Sequence, residues 1–157
     1  MRIGQGIDVH RVSDDAARAL VLGLVTIPDA AGLDGHSDAD VATHALCDAL
    51  LGAANLGDLG RHFPDTDEAT AGVSSRELLE RTVVLVRAAG FRITSADLTI
   101  IAERPRLAPY MNAMSEELTN VLGTIVSVKA TTAEGLGALG RVEGIGAIAV
   151  ALVEETL

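Results

Sequence analysis

The sequence predicts an α+β fold with two layers, one mixed β-sheet and helices packed on one of its faces, in a single domain over residues 1–157. Segments with alternating apolar residues, typical of strands, are interleaved with segments in which apolar residues recur at helical spacing. Apolar residues make up 48% of the chain, but Trp is absent and there are only two Phe and one Tyr. A core of Val, Ile, Leu and Ala suits close contact between helices and a sheet.

The first third of the chain holds two predicted strands and one helix. Residues 2–10 alternate as a strand does and contain two glycines that let another backbone approach. Residues 20–27 are predicted to form a short second strand, and residues 32–35 a loop. Ser37 or Asp38 can cap a helix that runs to about residue 55.

The rest of the chain continues with turns, helices and strands. Residues 57–72 are rich in turn-forming residues. Ser74 and Glu77 form a capping-box pattern at the start of a helix that Gly90 closes. The remaining predicted elements are a strand, a helix that Gly123 stops and two further strands, at residues 91–103, 109–122, 125–132 and 145–153.

The composition excludes several function classes. The formal net charge is −10, and no Lys or Arg cluster forms the basic face that nucleic-acid binding needs. An acidic surface has little attraction to anionic lipid, and no segment reaches the 18 or so apolar residues of a membrane span. We therefore expect a cytoplasmic protein without nucleic-acid or membrane partners. A phosphate-bearing substrate would need a metal ion to offset the repulsion.

Cys47 is the only cysteine. An internal disulfide and zinc sites of the Cys₄ or Cys₂His₂ type are therefore excluded. Because Cys47 lies in an apolar helical stretch, we expect a buried structural thiol rather than a nucleophile.

Three of the four histidines lie in two compact polar motifs. Asp8 and His10 are two residues apart on a predicted strand and therefore project from the same face. With His44 from the helix they would supply three ligands and leave a fourth tetrahedral position open, the catalytic pattern for Zn²⁺. Alternatively, Asp8 and His10 end an exposed strand and His44 is a hydrogen-bonded helix histidine. The combination with further polar clusters favours the metal site.

Asp40 and Asp48 lie one helical turn on either side of His44. Both are candidates to orient its ring by hydrogen bonding. For Asp40, stabilisation of the positive end of the helix is an equal alternative. His62 falls outside the polar motifs and is expected in a surface loop.

The further polar clusters lie at residues 57–60, 63–67 and 129–135. The last one follows a predicted strand, where two threonines and backbone N–H groups could bind a diphosphate and Glu134 could bind Mg²⁺. As isolated patterns, a Thr-Thr pair more often reflects strand propensity before a turn, and the Pro-Asp pair in 63–67 a simple turn.

Seven motifs follow one another in a distinctive order and spacing: Gly6-Ile7-Asp8-Val9-His10, Gly35-His36-Ser37-Asp38, Leu50-Leu51-Gly52-Ala53-Ala54, Gly57-Asp58-Leu59-Gly60, Phe63-Pro64-Asp65-Thr66-Asp67, Lys129-Ala130-Thr131-Thr132 and Gly140-Arg141-Val142-Glu143-Gly144. In this arrangement the chain resembles the 2-C-methyl-D-erythritol 2,4-cyclodiphosphate synthase family. The resemblance runs from Met1 nearly to the C-terminus and so covers the whole domain.

The resemblance implies a phosphorus–oxygen lyase of the non-mevalonate (MEP) pathway of isoprenoid biosynthesis. Such an enzyme converts 4-diphosphocytidyl-2-C-methyl-D-erythritol 2-phosphate to the cyclodiphosphate and CMP by metal-assisted intramolecular phosphoryl transfer. A homotrimer with active sites between subunits is also implied. Asp8, His10 and His44 would bind one Zn²⁺ per subunit, and Glu134 a Mg²⁺ or Mn²⁺ that bridges the diphosphate.

The resemblance also assigns substrate contacts. The methylerythritol phosphate part would contact Asp8, His10, His36, Ser37, Asp58, Leu59, Gly60, Phe63, Pro64, Asp65, Thr66 and Asp67. The cytidine and diphosphate would lie against a neighbouring subunit's Ala102, Pro105, Arg106, Leu107, Thr131, Thr132, Ala133 and Glu134. As catalytic residues, His36 and Thr132 would donate hydrogen bonds in the transition state, and Arg141 would face the phosphates or the trimer axis.

Two positions depart from the family pattern: Ala133, where Thr is frequent, and Ala138, where an aromatic residue is frequent. Ala138 cannot supply the apolar wall that an aromatic side chain would form at the central channel. Binding of an isoprenoid diphosphate in that channel is therefore not part of the expectation.

Two other functions are compatible with the same residues. A zinc-dependent hydrolase would use Asp8, His10 and His44 to hold an attacking water and would release a linear product. A trimeric metal- or nucleotide-binding module would bind without turnover.

Overall fold

The structure, a computed structural model, describes residues 1–64 and 73–156. The strands in these residues are β1 (Arg2–Arg11), β2 (Ala19–Leu22), β3 (Val25–Ala31), β4 (Phe91–Ile101), β5 (Val126–Thr131) and β6 (Gly144–Glu155). The helices are α1 (Val41–Ala53), α2 (Leu59–His62), α3 (Ser75–Ala88), α4 (Met111–Leu122) and α5 (Gly137–Gly140). None of these helices is long and apolar enough to span a membrane.

Four strands form the predicted mixed sheet, in the order β1-β6-β4-β5. The pairs β1–β6 and β6–β4 are antiparallel, whereas β4–β5 is parallel. The C-terminal ends of β1, β4 and β5 therefore lie at the same end of the sheet. Asp8 and His10 on β1 and Thr131 on β5 share that end, separated by three strand spacings or roughly 14 Å.

The segment predicted as one strand at residues 20–27 is instead a hairpin. The antiparallel strands β2 and β3 turn at Gly23 and Leu24, which have φ values of 55° and 67°. Gly23 is a turn signal within the apolar run that the prediction of one strand passed over, whereas a leucine with positive φ is uncommon and gives no such signal. The hairpin forms a separate two-stranded sheet that the sequence analysis did not predict.

The helix termini largely follow the predicted capping residues. Ser74 accepts a hydrogen bond from the Glu77 N–H at the start of α3, and Gly123 ends α4 in the left-handed conformation. At α1 the prediction is wrong by a few residues. Asp40, rather than Ser37 or Asp38, caps this helix by accepting from the Thr43 N–H.

Helix α1 packs directly on β1 because glycines stand at the contact. A Cβ added to Gly4 would lie 2.0 Å from the carbonyl oxygen of Ala49, and one added to Gly6 would lie 2.0 Å from that of Ala45. Gly4 and Gly6 point to the same face of β1 as Asp8 and His10. The close approach therefore places the first turn of α1 beside these two side chains.

The buried face of the sheet lies against α1, α3 and α4, as predicted. Cys47 in α1 is fully buried in this core. Burial raises the pKa of its thiol to about 12, so the group is uncharged at neutral pH. The prediction of a structural rather than nucleophilic thiol agrees with this environment.

The opposite face of β1 and β6 is apolar and exposed. Ile3, Ile7 and Val9 on β1 are 72%, 59% and 58% exposed, and Val150 on β6 is 39% exposed. Across the strand pair, Ile3 lies opposite Leu152 and Ile7 opposite Ile148, with Gln5 opposite Val150 between them. A largely apolar exposed patch of this kind indicates an interaction surface.

Substitution of Gly6 by Ala is expected to destabilise the protein, because the added methyl group would overlap the Ala45 carbonyl oxygen. Overpacking of this kind costs about 1–3 kcal/mol or more. Gly52→Ala is the matched control. Gly52 lies in α1, the helix that contains Ala45, and a Cβ there meets only the Gln5 carbonyl oxygen at 3.9 Å. Ala in place of a helical Gly adds about 0.5–1 kcal/mol of stability. Urea unfolding compares the variants, and unchanged stability of Gly6→Ala would contradict the described contact.

Candidate active site

Asp8, His10 and His44 meet where the end of β1 lies against the first turn of α1. Asp8 Oδ2 is 3.0 Å from His10 Nε2 and 3.1 Å from His44 Nδ1. The candidate ligand atoms of the three side chains all lie within 4.8 Å of one another. In residues 1–64 and 73–156, no other group of three or more His, Cys, Asp or Glu side chains converges in this way. The predicted convergence is confirmed.

The electrostatics of the cluster keep Asp8 ionised. Burial by itself would raise the pKa of Asp8, but hydrogen bonds from His10 and His44 outweigh it and hold the pKa well below its usual range. The same contact with Asp8 raises the pKa of His10. A carboxylate that attracts a proton onto the His10 imidazole also attracts a divalent cation, which would displace that proton.

Each imidazole directs one nitrogen towards Asp8 and the other towards a polar group. His10 Nδ1 lies 2.5 Å from the carbonyl oxygen of Asp34, to which it donates, so that Nε2 is left as the ligand atom. His44 Nε2 lies 3.2 Å from Ser37 Oγ and 3.1 Å from Ser75 Oγ. Outer hydrogen bonds of this kind orient metal-binding histidines.

The prediction that Asp40 and Asp48 orient His44 is wrong, because their hydrogen bonds go to groups other than the His44 ring. The Asp48 carboxylate accepts from the Leu59 N–H at 2.7 Å, and burial raises the pKa of Asp48. The alternative for Asp40, a role at the helix end, agrees with the structure. Its fully buried carboxylate accepts from the N–H groups of Gly23, Leu24 and Thr43 and from the Thr43 hydroxyl.

The donor set fits Zn²⁺. One carboxylate and two imidazoles are the ligand types that zinc prefers, and three protein ligands leave a coordination position for a substrate oxygen. The cluster is partly buried and opens into a cavity of about 310 Å³. The cation site therefore has access to a small anionic ligand.

The cavity next to the cluster gathers most of the residues predicted for the methylerythritol phosphate part. Its lining consists of Asp8, His10, Gly35, His36, Ser37, His44, Asp48, Leu59, Gly60, Phe63 and Leu78. Asp58 instead caps the short helix α2 by accepting from the Arg61 N–H. Pro64 follows Phe63 and does not line the cavity, whereas Asp65, Thr66 and Asp67 lie outside the described residues.

A second pocket, of about 430 Å³, gathers the residues predicted for the cytidine end. Its lining consists of Ala102, Glu103, Pro105, Arg106, Leu107, Ala108, Met111, Ala130, Thr131 and Thr132. Ala133 and Glu134 follow directly in the chain. The two cavities share no lining residue, so within one chain the two halves of the predicted substrate site are separate.

Glu103 organises the loop beside the second pocket, a role that the sequence analysis missed. Its Oε1 accepts from the N–H groups of Ala133 at 2.8 Å and Gly135 at 3.1 Å. These two N–H groups belong to the loop that was predicted to bind a diphosphate, but both already donate to Glu103. Thr132 Oγ1 donates to Glu134 Oε1 at 2.5 Å. No local pattern in the sequence links Glu103 to a loop 30 residues later.

The other singled-out residues lie outside both cavities. Arg141 Nε donates to Glu143 Oε1 at 2.6 Å in an exposed ion pair. Ala138 lines a third cavity together with Arg11 and Glu143. His62 belongs to α2 rather than to a loop, and its Nε2 lies 2.8 Å from the carbonyl oxygen of Leu56.

The model of the YgbB family matches residues 1–154. The chain belongs to the YgbB family. A relative from Symbiobacterium thermophilum named 2-C-methyl-D-erythritol 2,4-cyclodiphosphate synthase is 56% identical over 98% of both chains. One of the same name from Laribacter hongkongensis is 58% identical over 100% of this chain and 98% of the relative.

Solved structures agree with the same assignment. A 2C-methyl-D-erythritol-2,4-cyclodiphosphate synthase with bound CDP is 38% identical, with a TM-score of 0.88 over 98% of this chain and 100% of that chain. The bifunctional IspDF from Campylobacter jejuni is 38% identical, with a TM-score of 0.92 over 98% of this chain and 42% of that chain. The resemblance drawn from the seven motifs is confirmed.

Substitution of Glu103 by Ala is expected to accelerate amide hydrogen exchange at Ala133 and Gly135, because both N–H groups lose their acceptor. Glu103→Gln keeps a side-chain oxygen and should retain most of the protection. NMR-detected exchange measures both amides, with the Val126 N–H, bonded to Thr119 Oγ1, as an internal reference. Unchanged exchange at residues 133 and 135 in the Ala variant would contradict this role of Glu103.

Proposed function

We propose that the protein converts 4-diphosphocytidyl-2-C-methyl-D-erythritol 2-phosphate to 2-C-methyl-D-erythritol 2,4-cyclodiphosphate and CMP. The observation that carries this proposal is the convergence of Asp8, His10 and His44 at a cavity. It occurs in a chain more than half identical, over its full length, to synthases of this name. The reaction belongs to the non-mevalonate route to isoprenoids.

The chemistry is an intramolecular phosphoryl transfer. An oxygen of the 2-phosphate attacks the β-phosphorus of the CDP group, the bond from that phosphorus to the α–β bridging oxygen breaks, and CMP leaves with that oxygen. No water is consumed. The protein therefore has to fold a flexible anion back on itself and offset its charge, rather than activate a nucleophile.

Residues of this chain divide the work between the two cavities. Zn²⁺ would be held by Asp8, His10 and His44, and Mg²⁺ or Mn²⁺ by the exposed Glu134 carboxylate. When bound, both ions would neutralise phosphate charge and act as Lewis acids. His36 lines the first cavity and Thr132 the second. Each would donate a hydrogen bond to a phosphate oxygen, Thr132 in exchange for its present acceptor Glu134 Oε1.

We propose further that the protein is a homotrimer, in which one subunit's metal cavity adjoins its neighbour's cytidine pocket. The metal cavity lies at β1 and the cytidine pocket at β5, the two edge strands of the four-stranded sheet. Apposition of unlike edges would join the two halves of the site. The exposed apolar residues Ile3, Ile7 and Val9 supply a surface for such an assembly.

We propose a cytoplasmic enzyme that acts on a small molecule, and the net charge of −10 argues against nucleic-acid and anionic-membrane partners. For the same reason, the bound cations are central to recognition of the anionic substrate. Arg141 is proposed to face the phosphates or the trimer axis. Its partner Glu143 offsets its charge within a single chain.

His44→Ala is expected to remove bound zinc and abolish cyclisation while the fold is largely retained. The imidazole supplies one of three ligands, and its loss leaves an incomplete site. His62→Ala is the control, because this histidine lies outside the cluster. Elemental analysis gives the metal content, and product masses after incubation with the CDP-linked substrate, Zn²⁺ and Mg²⁺ give the reaction.

The product mass separates the competing functions. Cyclisation releases CMP in equal amount with a product that contains no added water, whereas a hydrolase gives a linear product heavier by one water. Metal or nucleotide binding without turnover would identify a binding module. Retention of zinc by His44→Ala would refute the ligand assignment.

Substitution of Ile7 by Glu is expected to convert the trimer to monomers, because a charge would be buried in the proposed subunit contact. Val84→Glu is the matched control, since Val84 on α3 is similarly exposed, at 65% against 59%, but lies on a helix. Light scattering after size exclusion gives the mass of each species. A monomeric wild-type protein, or a trimeric Ile7→Glu variant, would show that this face is not the contact.

A further inference from the structure

Asp38 and Ser75 form a hydrogen-bonded pair directly behind His44. Ser75 is the first residue of α3 and is fully buried. Its N–H donates to Asp38 Oδ2 at 3.1 Å, and its hydroxyl donates to Asp38 Oδ1. On its other side, Ser75 Oγ lies 3.1 Å from His44 Nε2. The pair thus links the loop before α1, the start of α3 and the His44 ring.

The direction of these hydrogen bonds fixes the tautomer of His44. The single hydroxyl proton of Ser75 points to the Asp38 carboxylate, so Ser75 offers His44 only its lone pairs. For a hydrogen bond between Ser75 and His44, Nε2 must then carry the proton and donate. Without a cation, His44 Nδ1 donates to Asp8 Oδ2 at 3.1 Å. A cation bound there would displace that proton, and the neutral imidazole, protonated on Nε2, would then direct its Nδ1 lone pair at the cation.

We infer that Asp38 and Ser75 are positioning residues that hold His44 with the Nδ1 lone pair directed at the cation site. This inference rests on the metal centre of the proposed function and adds two residues to it. The Asp38 carboxylate fixes the direction of the Ser75 hydroxyl proton. The Ser75 oxygen in turn accepts from His44 Nε2, which orients the imidazole as a metal ligand.

Ser37 is a weaker partner for the same ring atom. Its Oγ lies 3.2 Å from His44 Nε2 but also accepts the Ala39 N–H at 3.1 Å. Ser37 is only partly buried and lines the cavity, whereas Ser75 is enclosed behind the ring. The buried, carboxylate-backed hydroxyl of Ser75 therefore has the larger role in orienting His44.

The test is Zn²⁺ affinity, measured by competition with a chromophoric chelator and independently of turnover. Ser75→Ala is expected to weaken binding by about 10–100-fold, the usual effect of losing an outer hydrogen bond to a metal ligand. Ser74→Ala is the matched control. It removes the cap of α3, where Ser74 Oγ accepts the Glu77 N–H, while Ser75 stays in place. Its affinity should equal that of the wild type.

Asp38→Asn tests the proton direction. The Asn amide can donate to Ser75 Oγ, which turns the hydroxyl proton towards His44 Nε2 and favours the tautomer protonated on Nδ1. A loss of Zn²⁺ affinity similar to that of Ser75→Ala is expected. The double variant should lose no more than either single variant, because the two residues act in one chain of hydrogen bonds. Additive losses of affinity would overturn the inference that Asp38 acts on His44 through Ser75.

The outcomes separate this inference from the proposed function. If wild-type protein binds Zn²⁺ and Ser75→Ala binds it equally tightly, the relay is wrong and the metal centre stands. An equal loss in Ser74→Ala would trace the effect to α3 stability and also overturn it. If the wild-type protein binds no Zn²⁺, both fail. The visible spectrum of the Co²⁺-loaded protein gives a second readout, since a reoriented His44 should change it in Ser75→Ala but not in Ser74→Ala.

Discussion

The direct backbone contact between β1 and α1 is the constraint on which the site depends. Only glycine at positions 4 and 6 allows it, because any Cβ there would overlap carbonyl oxygens of α1. The strand supplies Asp8 and His10 and the helix supplies His44, so the distance between these elements sets the distances between the ligand atoms. Asp40 fixes the start of the same helix and holds the turn of the β2–β3 hairpin through two backbone N–H groups. The packing of α1 on β1 therefore sets the positions of the three ligand side chains.

Charge explains why a cation has to be central in this protein. An acidic chain that acts on a highly anionic substrate meets repulsion, and a divalent ion offsets it locally. The cluster is suited to this task because hydrogen bonds from two imidazoles outweigh the effect of burial on Asp8 and keep its carboxylate ionised. Outer partners complete the arrangement, with the Asp34 carbonyl behind His10 and Ser75 behind His44.

Features set by local sequence could be predicted, whereas features set by distant partners could not. The cap at Ser74, the end of α4 at Gly123 and the i, i+2 pair on β1 follow from short-range rules, and the family resemblance supported His44, already a candidate, as the third ligand. The turn at Gly23 and Leu24 depends on a carboxylate 16 or more residues later. Ser75 lies 31 residues from His44 and Glu103 lies 30 from Ala133. Such contacts exist only once the fold has formed, and they leave no periodic signal in the chain.

The uncovered face of the sheet changes character from one edge to the other. It is apolar along β1 and β6, whereas along β4 and β5 it carries polar groups such as the ion pair between Asp97 and Lys129. The two edges of the sheet differ, and so do the two ends of its uncovered face. Such a subunit suits heterologous contacts, in which one surface meets a different surface of the next subunit. When the rotation between subunits closes, heterologous contacts form a ring. In the proposed trimer each such contact would also join a metal cavity to a cytidine pocket. Assembly and catalysis would then share one geometric requirement, because the edges that must meet to close the ring are the edges that carry the two halves of the site.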